Sequence, residues 1–201
     1  SWSSSKNQKI FSELNVTDAS NIAPDGYPEI SKKIPLKYKE QVAINVLKDI
    51  SDVIMYISGT GIVHADISPG NIMEKKSSLL DKQYILIDWG ASALIHRYPE
   101  KSFGSLHFTA PERLLGKVDI KSDLYSLGIV IFFILTGTVP YSGQTGESYY
   151  KSIIDREGIS PSTIYPEVSH QLDRIVRDLI KRVPDERPEP SEVNKKALKL
   201  V

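Results

Sequence analysis

Two short stretches carry side chains that could act together on a phosphate group. The first, residues 64–71, contains Asp66 and ends at Asn71, and in the second Asp88 follows an apolar run. A carboxylate that reaches a hydroxyl can act as a general base, whereas carboxylate and amide oxygens are the ligands that a hard cation prefers. The two acids and the amide therefore predict phosphoryl transfer, with Asp66 as the base and with Asn71 and Asp88 as Mg²⁺ ligands.

A long amphipathic helix is predicted immediately upstream of the first stretch. Between Val42 and Ile57, apolar residues recur at spacings of three and four, which is the period of one helix face. Pro35 is expected to begin this helix, and Gly59 and Gly61 are expected to end it. The helix would then lead, through a short apolar step, into the first stretch.

Two short strands are predicted next to the two predicted metal ligands, Asn71 and Asp88. Residues 71–74 and 84–88 suit strands, and the polar residues 75–83 suit a connection between them. The expected hairpin would place Asn71 at the start of one strand and Asp88 at the end of the other.

An uncharged run from Leu124 to Tyr141 predicts a fully buried core helix. Its dense apolar part is much shorter than the about 20 residues that a membrane-spanning helix needs. Ser122 and Asp123 are expected to cap this helix, and Gly137 follows its end. The predicted fold class is mainly α with a small β-hairpin, with three further helices expected near 147–157, 167–182 and 190–200.

Composition and charge limit the classes of protein to which the chain can belong. The chain has 201 residues, of which 40% are hydrophobic and 25% charged, as in a single globular domain with a core. The formal net charge of zero gives no support for a nucleic-acid or membrane partner. The absence of cysteine suits a reducing compartment and predicts a cytoplasmic protein. No signal peptide is apparent, and because the chain begins with Ser1 rather than Met, we expect a fragment, a processed product or a tag remnant.

Both stretches resemble motifs of the protein kinases. Residues 64–71 match the catalytic loop, H-x-D-x-x-x-x-N, and Asp88-Trp89-Gly90 resembles the metal-binding D-F-G with Trp in place of Phe. The resemblance implies Mg²⁺ and ATP as cofactors and gives His64 and Gly90 structural roles. The bare residues leave two alternatives open: a polar turn between a helix and a strand, and a strand that ends in a solvated acid.

Two downstream segments extend the resemblance. Residues 104–112 resemble the kinase segment G-T-x-x-Y-x-A-P-E, which implies that Ser105 and Thr109 line a substrate segment. It also implies a buried ion pair between Glu112 and Arg187, although a surface arginine is the alternative. Residues 122–128 resemble the start of the central kinase helix, where Asp123 would accept hydrogen bonds from backbone amides of the catalytic loop. A simple capping role is the other reading of that aspartate, and both roles are compatible.

The resemblance covers residues 36–201 and implies a protein-kinase-like C-terminal lobe. Residues 1–35 form a polar N-terminal segment that we interpret as a remnant of the hinge region. The sequence contains no G-x-G-x-x-G loop and no lysine at the end of an apolar strand upstream of residue 64. Preorganised charge contributes most of this type of catalysis, so we expect this chain alone to be very slow or inactive.

Two residues of the catalytic loop depart from the family pattern. Ala65 replaces the arginine that often precedes the base, so control by phosphorylation of the activation loop is not expected. Ser68 stands where serine/threonine kinases usually carry a lysine, and a neutral hydroxyl does not supply that charge.

Three functions follow from these observations. The first is a protein kinase-like phosphotransferase that moves the γ-phosphate of ATP to a serine or threonine of a protein substrate. The second is an inactive lobe that binds a partner kinase through its exposed apolar face. The third is a small-molecule phosphotransferase of the aminoglycoside-kinase type, which shares residues 68–71 and the Ile87-Asp88-Trp89 run. Residues 110–112 and 123–128 favour the first, because the third class usually lacks both.

Overall fold

The computed structural model describes residues 7–9, 34–76, 82–94, 106–141 and 146–201. Ser105, most of the segment 1–35 and most of the connection between the hairpin strands lie outside these ranges. The α-helices and strands of the described residues are β1 (Asn7–Lys9), α1 (Leu36–Ser58), β2 (Ile62–Val63), β3 (Ile72–Lys76), β4 (Lys82–Leu86), β5 (Ala93–Leu94), α2 (Pro111–Leu114), α3 (Ile120–Thr136), α4 (Gly146–Asp155), α5 (His170–Leu179) and α6 (Pro190–Leu198). Mainly helical content with small antiparallel sheets confirms the predicted fold class.

The core forms around the two long helices. Helix α1 packs against α3 and α6, and α3 also packs against α5. The apolar stripe of α1, including Val46, Ile50 and Ile54, is completely buried, as its period predicts. Every residue of α3 from Ser122 to Thr136 is buried, which explains why its sequence is apolar on all sides. None of the helices in the described part of the chain is long and apolar enough to cross a membrane.

One small residue sets the distance between α3 and α5. A Cβ atom built on Gly128 would lie 2.7 Å from the Cβ of Leu179 and 2.8 Å from the Cγ2 of Ile180. These distances are shorter than van der Waals contact, so the close approach of the two helices leaves no room for a side chain larger than that of glycine at position 128.

The start of α3 differs from the sequence prediction. Asp119, and not Ser122 or Asp123, is the N-cap, and its carboxylate accepts a hydrogen bond of 2.8 Å from the backbone amide of Lys121. Asp123 lies in the first turn, where its side chain is free to bind another part of the chain. The predicted end is confirmed, since Gly137 adopts a left-handed φ of 76°.

The predicted hairpin is confirmed, with strands shifted by up to two residues. β3 and β4 are antiparallel, with Ile72 opposite Leu86. The carboxylate of Asp49 in α1 accepts a hydrogen bond of 2.8 Å from the amide of Tyr84, which fastens the hairpin to the helix.

Two strands occur where the sequence indicated irregular chain. β1 pairs with the free edge of β3, so the sheet order is β1-β3-β4. β5 pairs with β2, with Ile62 opposite Leu94. Such edge pairing depends on backbone groups. Because the side chains of both strands are polar or mixed, their sequence shows no strand pattern.

Candidate active site

Asp66 and Asn71, the predicted base and a predicted metal ligand, are in direct contact. A short turn over Pro69–Asn71 reverses the chain, and the amide of Asn71 donates to the carbonyl of Ser68 at 3.0 Å. The Asn71 side-chain Nδ2 then donates to the carboxylate Oδ2 and the backbone carbonyl of Asp66, each at 2.8 Å. Because Nδ2 makes both of these bonds, Oδ1 of Asn71 is the side-chain atom that can serve as a metal ligand.

The end of β4 brings Asp88 to the same place. The amide of Ile87 donates to the backbone carbonyl of Asn71 at 2.9 Å, so Asp88 is one residue beyond a direct backbone contact with the loop. Its side chain is exposed. The structure therefore brings Asp66 and Asn71 into contact and places the backbone of Asp88 next to them, one residue in the chain beyond Ile87.

The backbone turn after β4 is made by the acid itself. Asp88 has a φ of 61°, in the left-handed region that few residues other than glycine adopt. Gly90 does not provide this turn, because it lies in the following 3₁₀ turn (Trp89–Ala91) without a positive φ. Its small size has another use: its amide donates to Oδ1 of Asp88 at 3.2 Å, and an added Cβ would lie 3.2 Å from the same oxygen.

His64 connects the loop to the end of β4. Its Nε2 lies 3.2 Å from the carbonyl of Ile87, and its Nδ1 lies 3.3 Å from the backbone amide of Asp66. A carbonyl can only accept and an amide can only donate, so the neutral ring protonated on Nε2 satisfies both. Burial lowers the pKa of His64, against the opposing effects of the Ile87 carbonyl and Asp88. The ring edge also packs on Trp89, with 4.7 Å between centroids.

Asp123 holds the backbone on the other side of the base. Its Oδ2 accepts from the amide of His64 at 2.7 Å, and its Oδ1 accepts from the amide of Ala65 at 2.9 Å. The structure thus contains the contact that the family resemblance implied for this side chain. Burial raises the pKa of Asp123 to about 7, although both amides and the Arg113 cation lower it.

The ion pair expected between Glu112 and Arg187 is present and buried. Nη1 and Nη2 of Arg187 lie 2.6 and 2.9 Å from the two carboxylate oxygens. The Oγ of Ser122 donates to Glu112 as well, at 2.7 Å. The remaining N–H groups of Arg187 donate to the carbonyls of Lys121, Lys181 and Arg182. All five donors of the guanidinium are used, which excludes a surface role.

The substrate segment is described only in part. Thr109 is buried, with 2% of its surface exposed, so it supports the segment from beneath. His107 is held by Tyr149 of α4, whose hydroxyl donates to the His107 carbonyl at 3.3 Å. Their rings pack with 4.7 Å between centroids. This contact of Tyr149 could not be predicted from the sequence, because no motif links α4 to the segment.

A second residue that the sequence analysis missed is Arg113. Its Nη1 donates to the carbonyl of Ala65, inside the catalytic loop. The signal available in the sequence was its position directly after Glu112, but arginine is common on helix surfaces and its direction could not be read from a pattern.

The donor set suits Mg²⁺ better than a metal held by protein alone. Among the described residues, no three His, Asp or Glu side chains are grouped to hold a metal ion. Asn71 and Asp88 would supply one amide and one carboxylate oxygen donor. Mg²⁺ usually keeps several waters and binds one or two carboxylates together with substrate phosphates, so this pair fits a metal–nucleotide complex.

Comparison with known proteins gives one consistent result. The family model described as protein kinase domain matches residues 25–198. Calcium-dependent protein kinase 5 of Plasmodium falciparum (isolate 3D7) is 28% identical over 175 residues, which cover 85% of this chain and 29% of that protein. Serine/threonine-protein kinase PrkC of Bacillus subtilis (strain 168) is 30% identical over 159 residues, covering 79% of this chain and 24% of that protein. The chain thus spans less than a third of the length of these relatives.

Proposed function

The chain belongs to the protein kinase family, and on that premise we propose that it contributes the catalytic lobe for transfer of the γ-phosphate of ATP to a serine or threonine hydroxyl of a protein. The observation that carries the proposal is the pair of 2.8 Å hydrogen bonds from Nδ2 of Asn71 to Asp66. These bonds support the proposal, because phosphoryl transfer requires the residue that orients the hydroxyl to lie close to the residues that hold the metal. The lobe comprises residues 36–201, with residues 1–35 as a hinge remnant, and a cytoplasmic location agrees with the absence of cysteine.

Each site residue has one role in this proposal. Asp66 accepts the proton of the attacking hydroxyl and orients it, and Asn71 and Asp88 hold Mg²⁺. The bound Mg²⁺ supplies positive charge that neutralises the phosphate oxygens. His64 and Asp123 fix the loop that carries the base. Glu112 and Arg187 fix α2, which follows the substrate segment containing Ser105 and Thr109.

The same chain by itself is proposed to be slow or inactive. Its sequence supplies neither a glycine-rich loop over the phosphates nor a strand lysine, and Ser68 provides no charge near the transferred group. Positioning and charge supply nearly all of the rate in phosphoryl transfer. A partner or a further segment that covers the nucleotide would therefore be required for full activity.

The proposal is tested by calorimetric titration of the chain with Mg²⁺-ATP. We expect binding that is weakened at least about tenfold in Asp88→Asn, which removes the charge of one metal ligand. Asp52→Asn is the matched control, because Asp52 is an exposed aspartate on α1 outside the site. Equal affinity of the Asp88→Asn variant and the wild type would contradict the metal assignment.

Transfer itself is tested with labelled ATP and a panel of serine- and threonine-containing proteins, sugars and amines. Because the chain alone is proposed to be slow or inactive, the assay includes the partner or segment that covers the nucleotide. With it we expect label in protein, lost in Asp66→Asn and retained in Asp52→Asn. Label in sugars or amines but not in protein would instead indicate a small-molecule phosphotransferase.

A binding module for a partner kinase is the second candidate. It is favoured by apolar exposure next to the site, where Trp89 and Leu94 are 42% and 48% exposed. Such exposure suits a surface that another protein covers. This candidate predicts a stable complex with a kinase, lost in Trp89→Ser, together with no heat of Mg²⁺-ATP binding.

A further inference from the structure

An arginine of α2 reaches into the catalytic loop next to the base. Arg113 is 8% exposed, and its Nη1 donates to the backbone carbonyl of Ala65. Ala65 has a φ of 66°, a left-handed conformation that a non-glycine residue keeps only when its surroundings hold it there. The carbonyl that Arg113 holds belongs to the peptide that leads directly into Asp66.

The guanidinium lies among carboxylates. Burial lowers the pKa of Arg113, whereas the charges of Asp123, Asp66 and Glu112 raise it. Glu112 already has a partner in Arg187, at 2.6 Å. The charges of Asp66 and Asp123 thus act on Arg113 in addition to that of Glu112, and arginine keeps its charge when buried.

The helix that presents Arg113 is itself fixed. Glu112, the residue directly before Arg113, is bound by Arg187 and by Ser122. The amides of Arg113 and Leu114 donate to the carbonyl of Ala110 at 3.0 and 3.4 Å. The arginine thus extends from a short helix whose position is set by a buried ion pair.

We propose that Arg113 is a positioning residue for Asp66, holding the Ala65–Asp66 peptide from the side of the substrate segment. The catalytic loop has alanine at position 65, so a cation cannot come from that side chain, and the chain supplies one from α2 instead. Through this contact α2 is joined directly to the loop that carries Asp66. The catalytic meaning of this contact rests on the proposed function, but the contact itself does not.

The test compares Arg113→Met with Arg113→Lys and with the control Arg177→Met, an exposed arginine on α5. The first readout is the backbone amide NMR spectrum, which needs no activity. We expect Arg113→Met to shift the Ala65 and Asp66 amide signals and to lower their order parameters from about 0.85 to below about 0.6. Signals of α1 and α3 should stay unchanged. Arg177→Met should leave all of these signals in place.

The second readout is the transfer reaction, with the partner or segment that activates the chain where one is needed. We expect Arg113→Met to lower kcat about 100-fold, with KM for the protein substrate changed less than about threefold. Arg113→Lys keeps the charge with a different donor geometry and should recover part of kcat.

The outcomes separate the two proposals. Wild-type protein that gives no transfer even with the activating partner or segment contradicts the proposed function, and the NMR readout then decides this inference alone. Unchanged Ala65 and Asp66 signals in Arg113→Met overturn the positioning role, as do equal shifts throughout α1 and α3, which would indicate general loosening. If Arg113→Met does not fold, Arg113→Lys decides: local shifts at Ala65 and Asp66 support the role, and their absence overturns it.

Discussion

Glu112 and Arg187 are 75 positions apart in the chain and meet through two hydrogen bonds, of 2.6 and 2.9 Å. The pair joins α2 to the 3₁₀ turn at Pro184–Glu186 that precedes α6. Arg187 also lies over the ring of Tyr125, with 4.8 Å from its Cζ to the ring centroid. The Arg187 side chain therefore connects α2, which follows the substrate segment, to α3 and to the turn that precedes α6.

Removal of one partner of this pair should be strongly destabilising. Arg187→Met leaves the Glu112 carboxylate buried without its cation, and we expect the free energy of unfolding to fall by about 3–5 kcal/mol. Urea denaturation measures this change. The control is Lys196→Met, which removes the exposed ion pair of Lys196 with Glu192, at 2.9 Å, and should change stability by less than about 1 kcal/mol. Equal effects of the two variants would show that the buried pair contributes little.

Asp123 should make stability depend on pH. Burial raises its pKa from the usual 3.8 of an aspartate to about 7 in the folded chain, so between pH 4 and 7 the folded state holds a proton that the unfolded state has released. This contribution to stability is complete at low pH, declines as pH rises through that window and is constant above it, at about 1.4 kcal/mol for each unit of pKa difference.

The measurement is urea unfolding at pH 5 and pH 8 for the wild type and Asp123→Asn. Asparagine does not titrate, so the variant should lack this part of the pH dependence. It should also be less stable at pH 8, because its amide nitrogen cannot accept from one of the two backbone amides. An identical difference between the two pH values in both proteins would refute the assignment.

Gly128→Ala should separate α3 from α5. The new methyl group would lie 2.7 Å from the Cβ of Leu179, and overpacking of this kind costs about 1–3 kcal/mol. Gly59→Ala is the matched control, because its Cβ would meet only the Tyr56 carbonyl, at 3.7 Å. Thermal unfolding should show a lower Tm for the first variant and little change for the second. A Gly128→Ala protein as stable as wild type would argue against the close helix approach.

Two buried hydroxyls should show a non-additive pattern. The hydroxyl of Tyr125 donates to that of Tyr141 at 2.9 Å, and burial raises the pKa of both phenols. Tyr141→Phe leaves one buried hydroxyl without this partner and should cost about 1–3 kcal/mol, whereas the double replacement by Phe should be nearly neutral. A double-mutant cycle by urea denaturation measures the coupling, and simple additivity would contradict it.

Sequence patterns predicted the elements that carry side-chain periodicity. The apolar stripe of α1 and the all-apolar α3 each have one physical interpretation, a helix with one face buried and a helix buried on all sides. The hairpin followed from two apolar runs with a polar connection. The contact of Asn71 with Asp66 was also accessible, because Pro69-Gly70 between them indicates a tight turn.

Features that depend on distant backbone partners could not be predicted from the sequence. β1 forms because β3 offers a free edge for backbone pairing, and the side chains of residues 7–9 give no sign of this pairing. Asp119 and Asp123 are chemically equivalent candidates for the cap of α3, and only the position of the catalytic loop decides that Asp123 binds His64 and Ala65 instead. The left-handed backbone of Asp88 likewise depends on the end of the hairpin, and not on its own preference.

Because Trp89 packs on His64, the intrinsic fluorescence of Trp89 can report on the site. The sequence contains two tryptophans, Trp2 and Trp89, so replacing Trp2 by Phe leaves Trp89 as the single tryptophan, which can be excited selectively over the tyrosines. Because its indole is half-exposed and adjacent to Asp88, a molecule entering there would alter its quantum yield and emission colour. Occupancy could then be followed in real time, at micromolar concentration and without a dye.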